Sequence, residues 1–555
     1  MTNFLFARGA RAAESALLAA VQEEVAAAQQ DPAQLAQPVY VVVPSRELRD
    51  QLAIRLAHAG ASLGVEVLSL HALALRLHRD AGEQPETHSA QVEVLARRAA
   101  EAQPELREAL AGLQDGMGLA ASSMRDLLSA QLTEGGMPIV AAARATAEAM
   151  QAAGVARPGD LQAAAAGWVE SHLHARAVFV HGFADATGQA AALLRALLAR
   201  GARMVVDLPS DPAAADRPDR GQSFVLDFVE RLAGSEARAV AQQAWADSPQ
   251  QDAPQLSQMH AAGAEDETRE LAQRIRALLA EGVPAEEIGV VARTLPPYAV
   301  PLRRWFGELG IPFRGGAAPA ALFPVHRRFQ AVLAVLREGE DCPVDRWLDA
   351  VAEGSHSGAL DPQRIADLRL AFRALGLGRL GQLDRFDEAS ALGERAAFPL
   401  PIRRGLVEVE PGEEGEADAA PEVDQPQLAF EQQYRAHRRS IPAGAFLQAF
   451  GAARGLVRAW RRLPARASLA EHALAVEKLL KSELGWRAEA FDREDNWLDL
   501  VRGLGEIDLG PCSRGEYLLM LEREARHFGA RPLGGSAGVA VLDLTQARAR
   551  TFQHL

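Results

Sequence analysis

The chain has 555 residues, enough for about three to four domains, and 48 % of them are hydrophobic, which is enough for sizeable cores. Asp and Glu outnumber Lys and Arg by 73 to 59, a formal charge of −14, so no global basic field advertises a nucleic-acid partner. Cys342 and Cys512, the two cysteines, exclude a disulfide framework, a four-cysteine zinc site and an iron–sulfur cluster.

The composition is rich in Ala, Leu and Arg and only 5 % aromatic, which favours helices. No apolar run reaches the ~18 residues of a membrane span, and Met1 leads directly into a strand pattern rather than a signal peptide. A soluble, cytoplasmic protein with no membrane partner is expected. Lysine occurs only at Lys478 and Lys481, so the first 477 residues contain none.

In chain order, residues 1–80 alternate strand and helix. NFLFA (3–7) reads as a strand, Glu14–Gln29 as a helix, PVYVVVPS (38–45) as a buried strand and Arg46–His58 as a helix. VEVLSL (65–70) is a third strand and His71–Arg79 begins another helix. Short apolar runs between helices of this length indicate parallel βαβ units. From Thr87 to Gly167 the pattern is helical. Strands return at AVFVHGF (177–183) and ARMVVDLP (202–209), with a helix Thr187–Ala199 between them.

Residues 212–257 are rich in Pro, Asp and Gln in places and read partly as linker. A second α/β unit follows: helix Glu265–Glu281, strand EIGVVAR (287–293), helix Pro297–Leu309 and GIPFRGG (310–316). Residues 325–530 read as mostly helical. They are interrupted by a stretch holding Glu408, Glu410, Glu413, Glu414, Glu416, Asp418, Glu422 and Asp424 with no basic residue, the composition of a solvated, disordered loop. A last strand, GVAVLDL (538–544), leads into TQARARTFQHL.

Residues 3–21, NFLFARGARAAESALLAAV, have the strand–glycine–helix order of a phosphate-binding loop. Such a loop, GxxxxGK[ST], needs glycines whose backbone N–H groups wrap phosphates, Lys for the outer phosphates, and Ser/Thr for magnesium. With the motif ending on Ser15, its positions fall on Arg8, Ala13, Glu14 and Ser15, with Gly9 beside them. Only the hydroxyl is retained, and a carboxylate at the lysine position repels triphosphate. An ordinary strand–turn–helix makes the same prediction. The strand 177–181 ends in His181 and Gly182 where an acidic pair would hold magnesium. His181 reads as a solvent-facing strand-end residue, or else as a metal ligand with His172 and His174. Asp185 falls in the turn before the helix at Thr187.

These segments, in this order, resemble superfamily 1 DNA helicases of the UvrD/RecB type, and among them the AddB-like subunits of AddAB-type helicase–nucleases. YVVVPSRELRDQLAIRLAHAGASLGVEVLSLHALALRL (40–77) resembles the family segments that touch single-stranded DNA. VFVHGFADATGQAAALLRALLARGARMVVDLPSD (178–211) resembles its motifs II and III, and residues 265–316 its motif IV, including Glu267, Arg293 and the Gly-Ile-Pro-Phe turn at 310–313. VAVLDLTQARARTFQHL (539–555) resembles motif V, with Thr545 for its histidine and Arg548 for its lysine.

The resemblance implies an α/β fold of two RecA-like domains, each interrupted by a mostly helical insertion. The first would take residues 1–84 and 168–250, with 85–167 inserted. The second would take 256–330 and 532–555, with 331–531 and its acidic loop 408–426 inserted. It also implies lost ATPase motifs, with Arg293 standing where the family arginine approaches the γ-phosphate. The implied role is that of a DNA-holding subunit acting at double-strand ends, with single-stranded tails and an active AddA-like partner, in recombinational repair. No cofactor is expected in the chain. The family's magnesium nuclease carries Asp followed by Glu-x-Lys, and Val476 and Leu479 stand two residues before Lys478 and Lys481. A nuclease is therefore expected beyond Leu555, if anywhere.

Candidate DNA contacts are Ser45 and Arg46, and Ser69 and His71, at strand ends where the family meets DNA. A further candidate is a helical face of Arg454, Arg458, Arg461 and Arg462 with Trp460 beside it, since a single strand needs cations and stacking rings. A solvated surface is the competing reading of that face. A helical scaffold with no nucleic-acid role is the competing reading of the whole chain.

Overall fold

The computed structural model describes residues 3–30, 36–208, 220–247, 255–316, 324–352, 360, 364–408, 434–486, 497–525 and 533–555. Most of the acidic stretch lies outside them. Contacts divide the chain into two units, one of Met1–Pro319 with Ala530–Leu555, the other of Ala320–Gly529. No helix among the described residues is long and apolar enough to cross a membrane.

The first unit is α/β. Its opening elements are β1 (Phe4–Arg8), α1 (Ala10–Gln30), β2 (Val39–Val43), α2 (Arg46–His58), β3 (Val65–Ser69) and α3 (Leu70–Asp80). Six helices follow, α4 to α9: Ser89–Glu101, Pro104–Leu110, Gly116–Ala130, Pro138–Ala152, Pro158–Ala165 and Val169–His172. The chain then returns through β4 (Ala177–His181), α10 (Gly188–Ala199), β5 (Arg203–Leu208), α11 (Arg220–Ala233) and α12 (Ser235–Asp247). The five strands form one parallel sheet in the order β1-β5-β4-β2-β3.

That order decides where the helices go. Steps from β1 to β2 and from β2 to β3 run one way across the sheet, and those from β3 to β4 and β4 to β5 run back. Right-handed crossovers therefore put α1 and α2 on one face and α3 and α10 on the other. The cores agree. Ala13, Leu17, Val21, Leu48 and Leu52 pack with Val41, Val43 and Phe179 on one side. Leu73, Leu77, Leu193 and Leu197 pack with Val42, Val180 and Met204 on the other. β2, buried at all five positions, has the continuous apolar run that a two-sided sheet requires.

Within the stretch 212–257, read partly as linker, residues 220–247 form α11 and α12, while 212–219 and 248–254 lie outside the described residues. Val225, Leu226, Phe228, Val229 and Leu232 recur at helical spacing and extend the second core, so α11 is packed against the sheet.

A second sheet in the same unit has the order β6-β12-β7, all parallel, from β6 (Gly289–Ala292), β7 (Phe313–Gly315) and β12 (Val539–Asp543). Helices α13 (Ala264–Ala280) and α14 (Ala299–Glu308) cover one face through Ala272, Ile275, Leu302 and Phe306 against Val539 and Val541.

The second unit is mainly helical: α15 (Pro324–Glu338), α16 (Val344–Ala352), α17 (Ile365–Ala374), α18 (Leu380–Arg385), α19 (Glu388–Leu392), α20 (Ala443–Arg461), α21 (Leu469–Ser482), α22 (Trp497–Gly503) and α23 (Arg514–Ala525). It also holds an antiparallel pair that the helical reading missed, β8 (Ala397–Glu408) with β9 (Tyr434–Pro442), and a small pair β10 (Arg466–Ala467) with β11 (Cys512–Ser513). Phe450 is fully buried, edge-on to Phe372 at 5.4 Å and beside Phe446 at 5.1 Å. Phe450→Ala is expected to lower the unfolding free energy by about 3–5 kcal/mol, because the neighbours cannot close over the void. Urea unfolding followed by tryptophan fluorescence measures it; an unchanged midpoint would remove Phe450 from the core.

Candidate functional site

Two places in the first unit gather polar side chains, and the carboxyl edge of the five-stranded sheet supplies both. Open parallel sheets place ligands at this edge, where neighbouring strands send their helices to opposite faces.

The β1–α1 end is closed. A single residue, Gly9, separates the strand from a helix that already begins at Ala10, and its N–H donates to Leu208 O at 2.7 Å. Ala13, Glu14 and Ser15 lie inside the helix, and the single residue Gly9 leaves no loop whose amides could wrap a phosphate. The Ser15 hydroxyl donates back to Arg11 O at 2.9 Å. Arg8 lies under the Trp245 ring, 4.6 Å from its centroid. Asp207, beside Ala7 in register, adds a carboxyl close to the helix start; burial pushes its pKa up to about 6, so it is mainly ionised at neutral pH. These residues do not fit a nucleoside triphosphate and its magnesium ion.

Glu14 has a different task. It is 6 % exposed, accepts from Thr551 Oγ1 at 2.7 Å, and lies 3.3 Å from Arg55 Nε. Arg55 also grips Glu287 with both terminal nitrogens, one of them at 2.9 Å. Buried Gln51 completes the seam: its amide donates to Thr551 O at 2.8 Å, and its oxygen accepts from Arg550 Nε at 2.7 Å. Arg11 donates to Phe552 O at 2.9 Å. The chain's own segment 550–552 is thereby pinned between α1, α2 and the second sheet.

His181 is not the solvent-facing residue expected from its place at a strand end. It is 1 % exposed because β4 is central in the sheet, and neither ring nitrogen has a partner among the described residues. Burial depresses its pKa to about 4, so the ring is neutral at pH 7. Gly182 turns at φ +83°, where a β-carbon would stand 2.4 Å from Leu48 Cδ2, so only glycine fits. Arg293, just past β6, is exposed with no partner among the described residues.

Towards β3 the same edge is open. A cleft of about 400 Å³ is lined by Arg46, Ser69, His71, Gln162, Thr187 and Arg548, with Asp185. Three helices start here, each capped by a hydroxyl: Ser45 Oγ accepts from Leu48 N (3.2 Å), Ser69 Oγ from Ala72 N (3.1 Å) and Thr187 Oγ1 from Ala190 N (3.3 Å). The caps hold α2, α3 and α10 so that their positive dipole ends converge. Arg46 is 78 % exposed and only loosely faced by Asp50, at 3.9 Å. Arg548 pairs with Asp185 at 2.9 Å. His71 Nδ1 is buried with no partner among the described residues, and burial lowers the ring's pKa, so at neutral pH it offers a hydrogen bond without a charge. The edge thus brings together Ser45, Arg46, Ser69 and His71. Sequence reasoning named these four but missed Gln162, Thr187 and Arg548 as their neighbours. The helix-capping threonine was the signal available for Thr187; the other two arrive from distant segments.

The arginine face of α20 is a correction. Arg454 is committed to Glu388 (2.6 Å) and to Phe386 O, and Arg461 to Glu340 (2.7 Å) and Asp384 (3.1 Å). Arg458 donates to Arg454 O, and Arg462 ends the helix exposed. Trp460 donates to Leu336 O and lies under Arg514 at 4.7 Å, so its face is covered. These side chains brace α18, α19 and α20 within their own unit, and no open cationic stripe with a stacking ring remains.

No protein-family model matches the chain, and no curated protein is significantly similar to it.

Arg55 is the most consequential seam residue, since its loss leaves buried Glu14 without a cation. Arg55→Ala is expected to cost about 3–5 kcal/mol, as for other broken buried pairs. The Arg55 hydrogen bond holds the Glu287 carboxyl below the usual glutamate range. A depressed carboxylate adds stability that is fully present above its unfolded pKa and is lost as pH falls through the folded one. Denaturant titrations across the acid range should show this loss in the parent chain and a flatter profile in Arg55→Ala. Identical profiles would mean that the pair does not hold the seam.

Proposed function

We propose that the chain is a non-motor, DNA-binding subunit of an ATP-dependent helicase–nuclease of the AddB-like kind. On this reading its two sheets are RecA-like domains that no longer hydrolyse ATP. The subunit acts at double-strand breaks during recombinational repair, beside an active AddA-like helicase. The observation that carries the reading is the open cleft, where three capped helix N-termini, Arg46, Arg548 and His71 face one groove at the carboxyl edge of a parallel sheet. Phosphodiester oxygens are what such a set accepts: helix dipoles and backbone amides favour anions, and Arg46 adds a weakly compensated cation. Little in the lining reads a base edge, so it supports backbone binding without strong sequence preference.

The closed β1–α1 end supports the non-motor half of the reading. An engine needs its phosphate loop vacant for nucleotide, and here Glu14 and Thr551 occupy each other. A nuclease beyond Leu555, with its magnesium, is part of the proposal only by the family resemblance. The second reading, a helical scaffold without a nucleic-acid role, is favoured by one observation: Arg454 and Arg461 are spent on internal ion pairs.

A fluorescence titration with single-strand-tailed duplex DNA separates the two. Binding is expected to weaken steeply with salt, and Arg46→Ala to weaken it several-fold and reduce the salt slope by about 1, as one phosphate contact is lost. No binding at low salt would leave the scaffold; DNA-stimulated ATP turnover by this chain would overturn the non-motor reading.

A further inference from the structure

We propose that the face of the second sheet opposite α13 and α14 holds a binding site for a phosphate-class oxyanion, formed by Arg314 and Arg550. Arg314 on β7, Ala540 on β12 and Gly289 on β6 lie side by side in register across this face. Their neighbours Phe313, Val539, Val541 and Val290 point to the covered face instead. The row therefore reads arginine, methyl, hydrogen. Strands stand about 4.8 Å apart, so Arg314 and Gly289 are separated by about 10 Å over a floor that carries almost no side chain.

Phe552 takes up the far end of that floor, lying so close to Gly289 that a β-carbon there would meet its ring at 2.7 Å. Arg550 lies over this ring, 5.2 Å from its centroid, and Gln51 fixes its Nε. Arg550 is only 8 % exposed, yet among the described residues its Nη2 has no hydrogen-bond partner, and neither does the buried Nε of Arg314.

Three other arginines of this region have carboxylates: Arg55 has Glu14 and Glu287, Arg548 has Asp185, and Arg49 has Asp50. No carboxylate pairs with Arg314 or Arg550 among the described residues. Glu47 and Asp50 act on Arg550 only through their fields; Glu47 accepts from Gln546 and Asp50 from Arg49. Burial first, and then the charge of Arg314, bring the Arg550 pKa down to about 10 despite the opposing pull of Glu47 and Asp50. Two like charges with buried, unmet N–H groups are unfavourable alone and favourable around an anion. The planar guanidinium fork matches the tetrahedral oxyanion geometry of phosphate.

The anion can be a free phosphate or the phosphate of a nucleic acid. This inference stands on the second sheet alone and does not depend on the cleft at the first. Its test is a titration of the full chain with inorganic phosphate at constant ionic strength, balanced with chloride, following the thermal unfolding midpoint. The midpoint is expected to rise with phosphate, and Arg314→Gln and Arg550→Gln to weaken the apparent affinity at least tenfold, while Arg107→Gln, exposed on α5 and away from both sites, leaves it intact. Circular dichroism confirms folding; if Arg550→Gln does not fold, Arg314→Gln, at the more accessible position, decides alone. A phosphate response retained in Arg314→Gln, or absent from the parent chain, overturns the site. Tailed duplex DNA then identifies the source. If phosphate competes with DNA and the same substitutions weaken DNA binding, the anion belongs to a nucleic-acid backbone; if DNA binding is untouched, it is a free phosphate.

Discussion

One guanidinium joins the parts of the first unit that lie farthest apart in sequence. Arg55, on α2, reaches Glu14 on α1 and Glu287 just ahead of β6. Glu14 is almost fully buried, and burying a carboxylate is costly unless a cation and a hydrogen-bond donor meet it. Arg55 supplies the first and Thr551 the second. Because Thr551 must be in place to donate, the segment from Arg550 to Phe552 is held as well, and Gln51 fixes that segment's backbone from α2. The charge of one side chain thus sets the fit of two helices, one strand edge and the end of the described chain.

The same constraint divides the carboxyl edge of the five-stranded sheet into two regimes. Where Gly9 alone joins β1 to α1, the helix starts hard against the strand and leaves no room for a ligand. Where Gly182 to Thr187 join β4 to α10, the longer connection stands away from the edge, and the hydroxyl caps of α2 and α3 frame an open groove beside it. Connection length, more than the identity of any one residue, determines which end of the edge can receive a ligand. Gly182 permits the turn that opens the groove, because any side chain there would strike Leu48.

Much of the fold could be read from local pattern. The short apolar runs at 38–45, 65–70, 177–183 and 202–209 lie between helical stretches, and each became a parallel strand. The runs are dense because both faces of the sheet are covered, which gives strong contrast with the flanking loops. The β8–β9 pair escaped notice because its strands flank a long acidic insertion and share no short turn. The helices at 220–247 escaped because their Pro- and Asp-rich flanks obscured the apolar spacing of α11. At the sites, the hydroxyls at Ser45 and Ser69 were legible as strand-end residues before helices. Arg55, Glu287 and Thr551 were not, since Arg55 meets Glu287 across 232 residues and Thr551 meets Glu14 across 537, with no local periodicity to mark them. His181 was misjudged because position at a strand end says nothing of whether the strand is central or at an edge.

Arginine itself was a poor guide. Nearly all the cations of this chain are arginine, so a run such as 454–462 stands out only against an average protein. What distinguishes one arginine from another is its counter-charge. Arg454 and Arg461 face carboxylates of their own unit and act as braces, their charge neutralised where they stand. Arg46 faces Asp50 at the limit of an ion pair and keeps most of its field for solvent or a ligand. A surface pair of that kind contributes at most about 1 kcal/mol, so a phosphate can displace it at little cost. In a chain of net negative charge, binding an anion thus depends on a few cations that the fold has left poorly paired. The open groove has one of them in Arg46, set among three helix N-termini that add positive potential without adding formal charge.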